Sequence, residues 1–285
     1  MKKYVVLDKE VGQTPLQCSD LYKESHPECV GVPMTYAGRL DPMASGKLLI
    51  LLGKECKNQT AYCSLDKEYE FEVLFGLQSD TADVLGRLSE CANSKTGHTH
   101  QNKWGQGQHV SKKTLVSLCK KLIGDVELPY PHFSSKTING KALHTWKLEG
   151  RIEEIKIPTK KSRIHKLQCD AVQTHTRAEV HAYATTKVES IPPVTELRKA
   201  IGNDFRRDDV RKDWQQFKET GSPDDIFYSA KFTCLASSGT YMRTLSEVIA
   251  KEIGTCGLAY SIHRTTIGTY KKLPLWGGFW TQKFR

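Results

Sequence analysis

Residues 69–75 read YEFEVLF, and their alternation decides the architecture. Phe71, Val73 and Phe75 fall on one side of an extended chain, and Glu70, Glu72 and Leu74 on the other. Successive side chains of a strand point to opposite faces, so the pattern predicts a half-buried strand of an antiparallel sheet. Outward from it, residues 3–7 (KYVVL) read as a short strand and residues 14–23 as a helix. The apolar run 47–52 (KLLILL) is a buried strand or helix, too short for periodicity to separate the two. A helix is expected over 111–122, with Leu115, Val116, Leu118 and Leu122 as its apolar stripe and Gly124 beyond its end. Strands are expected at 152–157, 164–172, 178–185 and 227–236, two helices between Pro192 and Gly221, and an amphipathic helix over 240–252. Strands mixed with helices, without regular βαβ spacing, predict an α+β fold around a mixed, largely antiparallel sheet.

The chain has 285 residues, enough for one large or two ordinary domains. With 38% hydrophobic and 26% charged residues, it can build a packed core, and wholesale disorder is excluded. Lys and Arg number 42 against 32 Asp and Glu, a net charge of +10 that favours a polyanionic partner. No apolar run approaches the roughly 20 residues that span a bilayer. Asp8 also interrupts the N-terminal apolar run too early for a signal peptide, so a cytoplasmic location is expected. Nine cysteines without a CxxC pair are expected to be reduced and mostly buried. Cys91, His98, His100 and His109 lie in a polar, glycine-bearing stretch whose spacing fits no standard zinc site, so it reads as a solvated loop. No phosphate-binding glycine loop or dinucleotide fingerprint is present.

Residues 35–53, TYAGRLDPMASGKLLILLG, set an arginine and an aspartate two residues apart ahead of the apolar run. Pro42 disfavours helical geometry at Asp41, while Gly38 and Gly46 allow sharp turns on either side. Asp41 is either a rigidly held nucleophile or base, or an N-cap for residues 42–45. Tyr69 opens the alternating strand, where core packing is its alternative role. Arg243 lies in SSGTYMRTLSE (237–247), in the first turn of the expected helix, a position that attracts anions. An ordinary surface arginine is the alternative there.

Taken together, these segments resemble the TruB-type pseudouridine synthases, which convert a uridine in the T loop of tRNA, position fifty-five in tRNA numbering, to pseudouridine. GRLDPMASGKLLILLGKECK (38–57) is similar to the family's aspartate segment, and DKEYEFEVLFGLQSDTADVLGRL (66–88) to its K-x-Y strand and following turn. LIGDVELPYPHFSSKTINGKALHTWKLEG (122–150) resembles the family's [YF]-S-A-x-K segment. SSGTYMRTLSEVIAKEIGTCGLAYSIHRTTIG (237–268) resembles its G-T-Y-I-R segment and later L-x-R stretch. The likeness covers nearly all of residues 2–270 in the family's order.

The resemblance implies a pseudouridine synthase fold with a central cleft over residues 1–270, with additions at about 91–110 and 203–220, followed by a short tail, 271–285. It implies Asp41 as nucleophile, Arg243 as the cation that keeps it ionised, and Tyr69 against the target base. Ile262 stands at the family's pocket leucine, and Tyr36, Arg39, Lys136, Lys141 and Tyr241 are the candidate contacts to RNA and uracil. Catalysis of this kind implies no metal and no cofactor. The implied partner is the T arm of tRNA, with the chain working as a monomer, away from membranes and without an obligatory protein partner. Departures are visible. Tyr36 replaces the family's histidine, Arg39 a small residue, Ser135 an alanine, Thr137 a lysine and His144 a tyrosine. The family's usual C-terminal RNA-binding PUA module is expected to be missing or reduced to the tail, whose Trp276, Phe279 and Trp280 are expected to pack onto the body. Two rival readings share this fold: a synthase for another RNA uridine, and a chaperone that folds tRNA without catalysis.

Overall fold

The computed structural model describes residues 2–89, 91, 109–193, 206–273 and 277–284. Among them, nine strands form one sheet whose path runs β1 (Tyr4–Lys9), β3 (Ser45–Leu52), β12 (Gly257–Lys272), β4 (Asp66–Phe75), β11 (Ile226–Ala236), β10 (Thr159–Thr176) and β7 (Gly124–Pro129). Two strands lie off this path, β2 (Met34–Tyr36) on β3 and β13 (Gly278–Phe284) on β12, while β5 (Gln78–Ser79) with β6 (Leu88–Ser89) and β8 (Thr137–Ile138) with β9 (Lys141–Ala142) form two separate ribbons. Every pairing in this sheet is antiparallel except that of β12 with β3 at His263 and Arg264. The fold is α+β, as expected. The run 47–52 is strand, buried from Leu48 to Leu52.

The β4 alternation holds at its start and fails at its end. From Phe71 to Phe75 every side chain is buried. The second face is closed by α5 (Arg177–Ser190), whose Tyr183 ring centroid lies 4.1 Å from that of Tyr260. Glu72 survives there because the Ser229 hydroxyl donates to its carboxylate at 2.5 Å and His175 approaches at 3.5 Å. A buried charge needs such partners.

Residues 178–185, expected as a strand, belong to helix α5. Thr176 caps it by accepting from Glu179 N–H, and the Glu179 side chain returns the bond. Val180, Ala184 and Val188 fall four apart on its buried face. Residues 152–157 form no strand; Ile152–Glu154 make a single 3₁₀ turn. The helix expected at the N-terminus is α1 (Pro15–Ser25), with Thr14 and Gln17 as its capping box. The short helices α2 (Gln59–Cys63) and α4 (Leu143–Leu148) and the helix α3 (Lys112–Leu122) follow in chain order. The charged segment gives α6 (Arg207–Glu219), which buries Val210, Trp214 and Phe217. The last helix is α7 (Met242–Glu252). Most of the expected 91–110 loop, including His98 and His100, lies outside the described residues, as does Trp276.

The residues read as a tail contribute β13 to the sheet. Phe284 is buried against Tyr4 and Tyr62, while Phe279 is 50% exposed and Trp280 packs edge-on to Tyr270. The thiol expectation is corrected at one pair. Cys91 and Cys256, 165 residues apart in sequence, form a disulfide with a Cα separation of 5.6 Å. A bridge between such distant positions leaves no local spacing pattern to read. His109, once separated from Cys91 in this way, lies edge-on to the Tyr228 ring. No helix of the described residues is long and apolar enough to cross a membrane.

Candidate active site

Asp41 caps no helix. Its carbonyl accepts from Ala44 N–H at 3.0 Å, closing a turn in which Pro42 holds the first inner position. Leu40, Met43 and Ala44 are buried and anchor the turn from below. Four bonds fix its edges. Gly12 N–H donates to Pro42 O at 2.9 Å, and the Lys9 ammonium donates to Ala44 O at 2.6 Å. On the other side, Arg264 donates from Nε to Lys47 O at 2.7 Å and from a terminal nitrogen to Gly38 O at 3.2 Å. Burial first of all pulls Lys9 down to about 8, so this lysine ties backbone as much as it carries charge. Gly46 has φ of +105°, and a Cβ there would stand 2.2 Å from Arg264 O. Only glycine allows β3 to approach β12 at this point.

The Asp41 carboxylate meets Arg243. Arg243 Nε donates to Asp41 Oδ2 at 2.8 Å, across 202 residues of sequence. The arginine side chain is 6% exposed and the aspartate side chain 41%. The cation is therefore enclosed and the carboxylate remains open to an incoming molecule. Arg243 spends its other nitrogens on backbone: one donates to Thr81 O at 2.8 Å, another to Phe133 O at 3.2 Å. These bonds fix the fork's orientation, which a lysine could not reproduce. Burial opposes its charge, but Asp41 and then Asp83 outweigh it and hold the guanidinium above its ordinary range.

Asp83 is the residue that sequence reasoning missed. Its Oδ2 lies 3.7 Å from Arg243 Nε, and its side chain is 5% exposed. Thr81 Oγ1 donates to it at 2.7 Å and Leu85 N–H at 2.9 Å. Burial, partly offset by Arg243, pushes its carboxyl up to about 6. The segment SDTADVLG (79–86) reads locally as a turn, and nothing in it announces burial. The tightest clue is Gly86, where a Cβ would stand 2.3 Å from Thr81 Oγ1. The disulfide and the bond from Ala259 N–H to Ala82 O at 2.9 Å tie this turn to β12.

The other expected residues divide. Tyr69 pairs with Arg264 across β4 and β12, Ile262 pairs with Phe71, and all four share one face of the sheet. Tyr69 is partly exposed and Ile262 buried, so they can form the wall and floor of a flat apolar slot. Tyr241 sits at the N-terminus of α7, its ring 5.5 Å from that of Tyr130. Burial, with Tyr130 and Asp41 nearby, raises its phenol. Lys136 places its ammonium over the Tyr130 ring at 5.6 Å and is exposed. Tyr36 and Arg39 line a hollow of about 250 Å³ with Gln59 and Cys63, the guanidinium 5.8 Å from the Tyr36 ring. Lys141 pairs its ammonium with Glu149 at 2.6 Å and lies over Trp146 at 4.6 Å.

Comparisons with known proteins bear on this arrangement. Residues 32–189, more than half of the chain, match the model of the TruB family pseudouridylate synthase N-terminal domain. The tRNA pseudouridine synthase B of Caldicellulosiruptor saccharolyticus is 24% identical over 270 residues, which are 95% of this chain and 69% of that protein. The enzyme of the same name from Borreliella afzelii is 25% identical, over 94% of this chain and 70% of its own length. The tRNA pseudouridine synthase 4 of Saccharomyces cerevisiae is 25% identical, over 78% of this chain and 57% of its own. Among solved structures, a chain of a Cbf5–Nop10–Gar1 complex superposes with a TM-score of 0.51 at 14% identity. That match covers 93% of this chain but only 48% of the other, and it speaks to the fold alone. A buried arginine holding an open aspartate, on a chain that matches the family model across its central half, leads to one conclusion: the protein belongs to the TruB family of pseudouridylate synthases and is an isomerase.

Proposed function

We propose that this enzyme isomerises uridine to pseudouridine in tRNA, at position fifty-five of the T loop. The relatives named as tRNA pseudouridine synthases support tRNA as the substrate. The observation that carries the chemistry is the 2.8 Å contact between the enclosed Arg243 and the open Asp41 carboxylate. An ionised carboxylate so placed attacks the ribose, or takes its proton, as the glycosidic bond breaks. The freed uracil then turns against the flat wall made by Tyr69 and the floor at Ile262, and bonds again through C5, which gives up its hydrogen as a proton to solvent while N1 takes one up. A uridine folded into a T loop must first leave its stack, at a cost of a few kcal/mol. Phosphate contacts from lysines such as Lys136 offset that cost. The chain is proposed to act as a monomer in the cytoplasm.

The test is release of tritium from 5-tritiated uridine in an unmodified tRNA transcript, with no metal or nucleotide added. Asp41→Asn should abolish release and leave tRNA affinity unchanged. Normal release by that variant would remove Asp41 from the chemistry. Pseudouridine mapped to another position, with the T loop untouched, would retain the reaction and reject the target.

A further inference from the structure

No aspartate or glutamate occurs after Glu252, while Lys271, Lys272 and Lys283 all fall on the β12–β13 hairpin. The three lysines are exposed. Between them lies an aromatic surface. Tyr270 pairs with Trp280 across the strands, their rings 5.6 Å apart and edge-on. Glycines make room for both rings. A Cβ at Gly268 would stand 3.1 Å from the Trp280 ring, and one at Gly278 would stand 2.5 Å from the Tyr270 ring. Both rings are thus drawn down onto the opposite strand's backbone and both remain partly exposed. Lys283 holds its ammonium 6.0 Å from the Trp280 ring, and Lys272, two residues beyond Tyr270, shares that face. The Asp66 carboxylate, which reaches the hairpin, is engaged by Tyr270 N–H at 2.9 Å and by His165 at 3.3 Å.

From these contacts we infer that the β12–β13 hairpin is a second RNA-docking surface, separate from the cleft. Nucleobase or ribose faces rest on Trp280 and Tyr270, and backbone phosphates pair with Lys272 and Lys283. Aromatic faces flanked by ammonium groups suit a polyanion whose bases can stack, whereas an apolar protein face would gain nothing from the lysines. Strand geometry sets the separation. Tyr270 lies six positions along β12 from Arg264, which braces the Asp41 turn, a span of about 20 Å. The hairpin therefore grips RNA away from the reacting nucleotide, and its contribution is to affinity and not to the chemical step. The inference rests on the RNA substrate proposed above.

The experiment uses the full chain and a complete tRNA transcript, reading Kd by fluorescence anisotropy and turnover by tritium release over a salt series. The variants are Lys272→Gln with Lys283→Gln, and separately Trp280→Ala. The lysine pair should weaken Kd and raise KM by roughly fivefold to tenfold, leave kcat within twofold, and flatten the log Kd against log salt slope by about 1.5. Trp280→Ala should weaken Kd by about tenfold without changing that slope. Unchanged affinity and slope in the lysine variant, whose fold has no reason to change, would overturn the inference, and an acidic protein partner would then be the surface's other candidate. A fall in kcat with an unchanged slope would also overturn it, because the hairpin would be acting through the fold. Should the parent enzyme leave the T loop unmodified while the lysine variant still binds tRNA weakly, the docking inference stands and the target assignment falls.

Discussion

Arg243 stands between two carboxylates, 2.8 Å from Asp41 and 3.7 Å from Asp83, and the two differ in exposure by 41% against 5%. The Asp41 carboxylate is open to solvent and that of Asp83 is enclosed. Bonds to Thr81 O and Phe133 O hold the guanidinium, and both carboxylates approach its Nε.

Removing the Asp83 carboxylate should loosen that geometry while leaving Asp41 in place. Asp83→Asn is expected to lower kcat by about tenfold to a hundredfold, with KM for tRNA changed less than threefold. Steady-state kinetics on a tRNA transcript would show it. Equal losses in KM and kcat would mean that the turn itself had collapsed.

The same residue makes stability depend on pH in a definite window. Its folded carboxyl titrates at about 6, above the ordinary value of 3.8. Between those values the folded state binds more protons than the unfolded, so Asp83 lends stability that is complete below 3.8 and lost as pH rises through 6. Denaturant midpoints of the parent and Asp83→Asn should therefore diverge between pH 4 and 6 and run parallel above it. A constant offset across the whole range would contradict the assignment.

Arg243→Lys keeps a charge and loses the fork. Its three directed bonds, to Asp41, Thr81 O and Phe133 O, cannot all be made by one ammonium. Loss of a buried, paired cation typically costs about 3–5 kcal/mol, and the lysine should retain only part of it. We expect a lowered melting temperature and a kcat at least a hundredfold down. Near-parental kcat would show that charge alone suffices.

Gly46→Ala tests the brace behind Asp41. The left-handed backbone and the 2.2 Å approach to Arg264 O leave a methyl group no place. Destabilisation of at least about 2 kcal/mol is expected, with a fall in kcat, because β3 must part from β12 where Arg264 holds the turn. An alanine variant with parental stability would remove the steric argument.

Reduction of the Cys91–Cys256 bridge should lower the melting temperature, by an amount corresponding to about 2–4 kcal/mol. Cys256→Ser should melt at the same temperature with or without reductant. A parental protein indifferent to reductant would show that the bridge adds nothing.

What was legible in the sequence follows the range of each signal. Alternation in β4 and the Gly-Pro-Gly punctuation around Asp41 are local, and both led to the right element. Asp41 and Arg243 could be named because each sits in a segment whose residue types announce chemistry. Helix α5 reads as strand in the sequence because Val, Tyr and Thr, which favour strands, outweigh its capping box and its buried residues four apart. The burial of Asp83 and Glu72 depends on what packs over them, and no spacing in the chain reports that. The role of Arg264 depends likewise on carbonyls more than two hundred residues away.

Strand β12 splits the sheet, lying between β3 and β4 although it is made after almost everything else. A growing polypeptide on the ribosome can pair β1 with β3 and form its early helices, yet the two halves of the sheet have no bridge until residues 257–272 emerge. Arg264 arrives with that bridge, and so does the backbone to which the Asp83 turn is tied. A chain that ends before residue 257 thus carries the Asp41 turn without the Arg264 bonds that brace it.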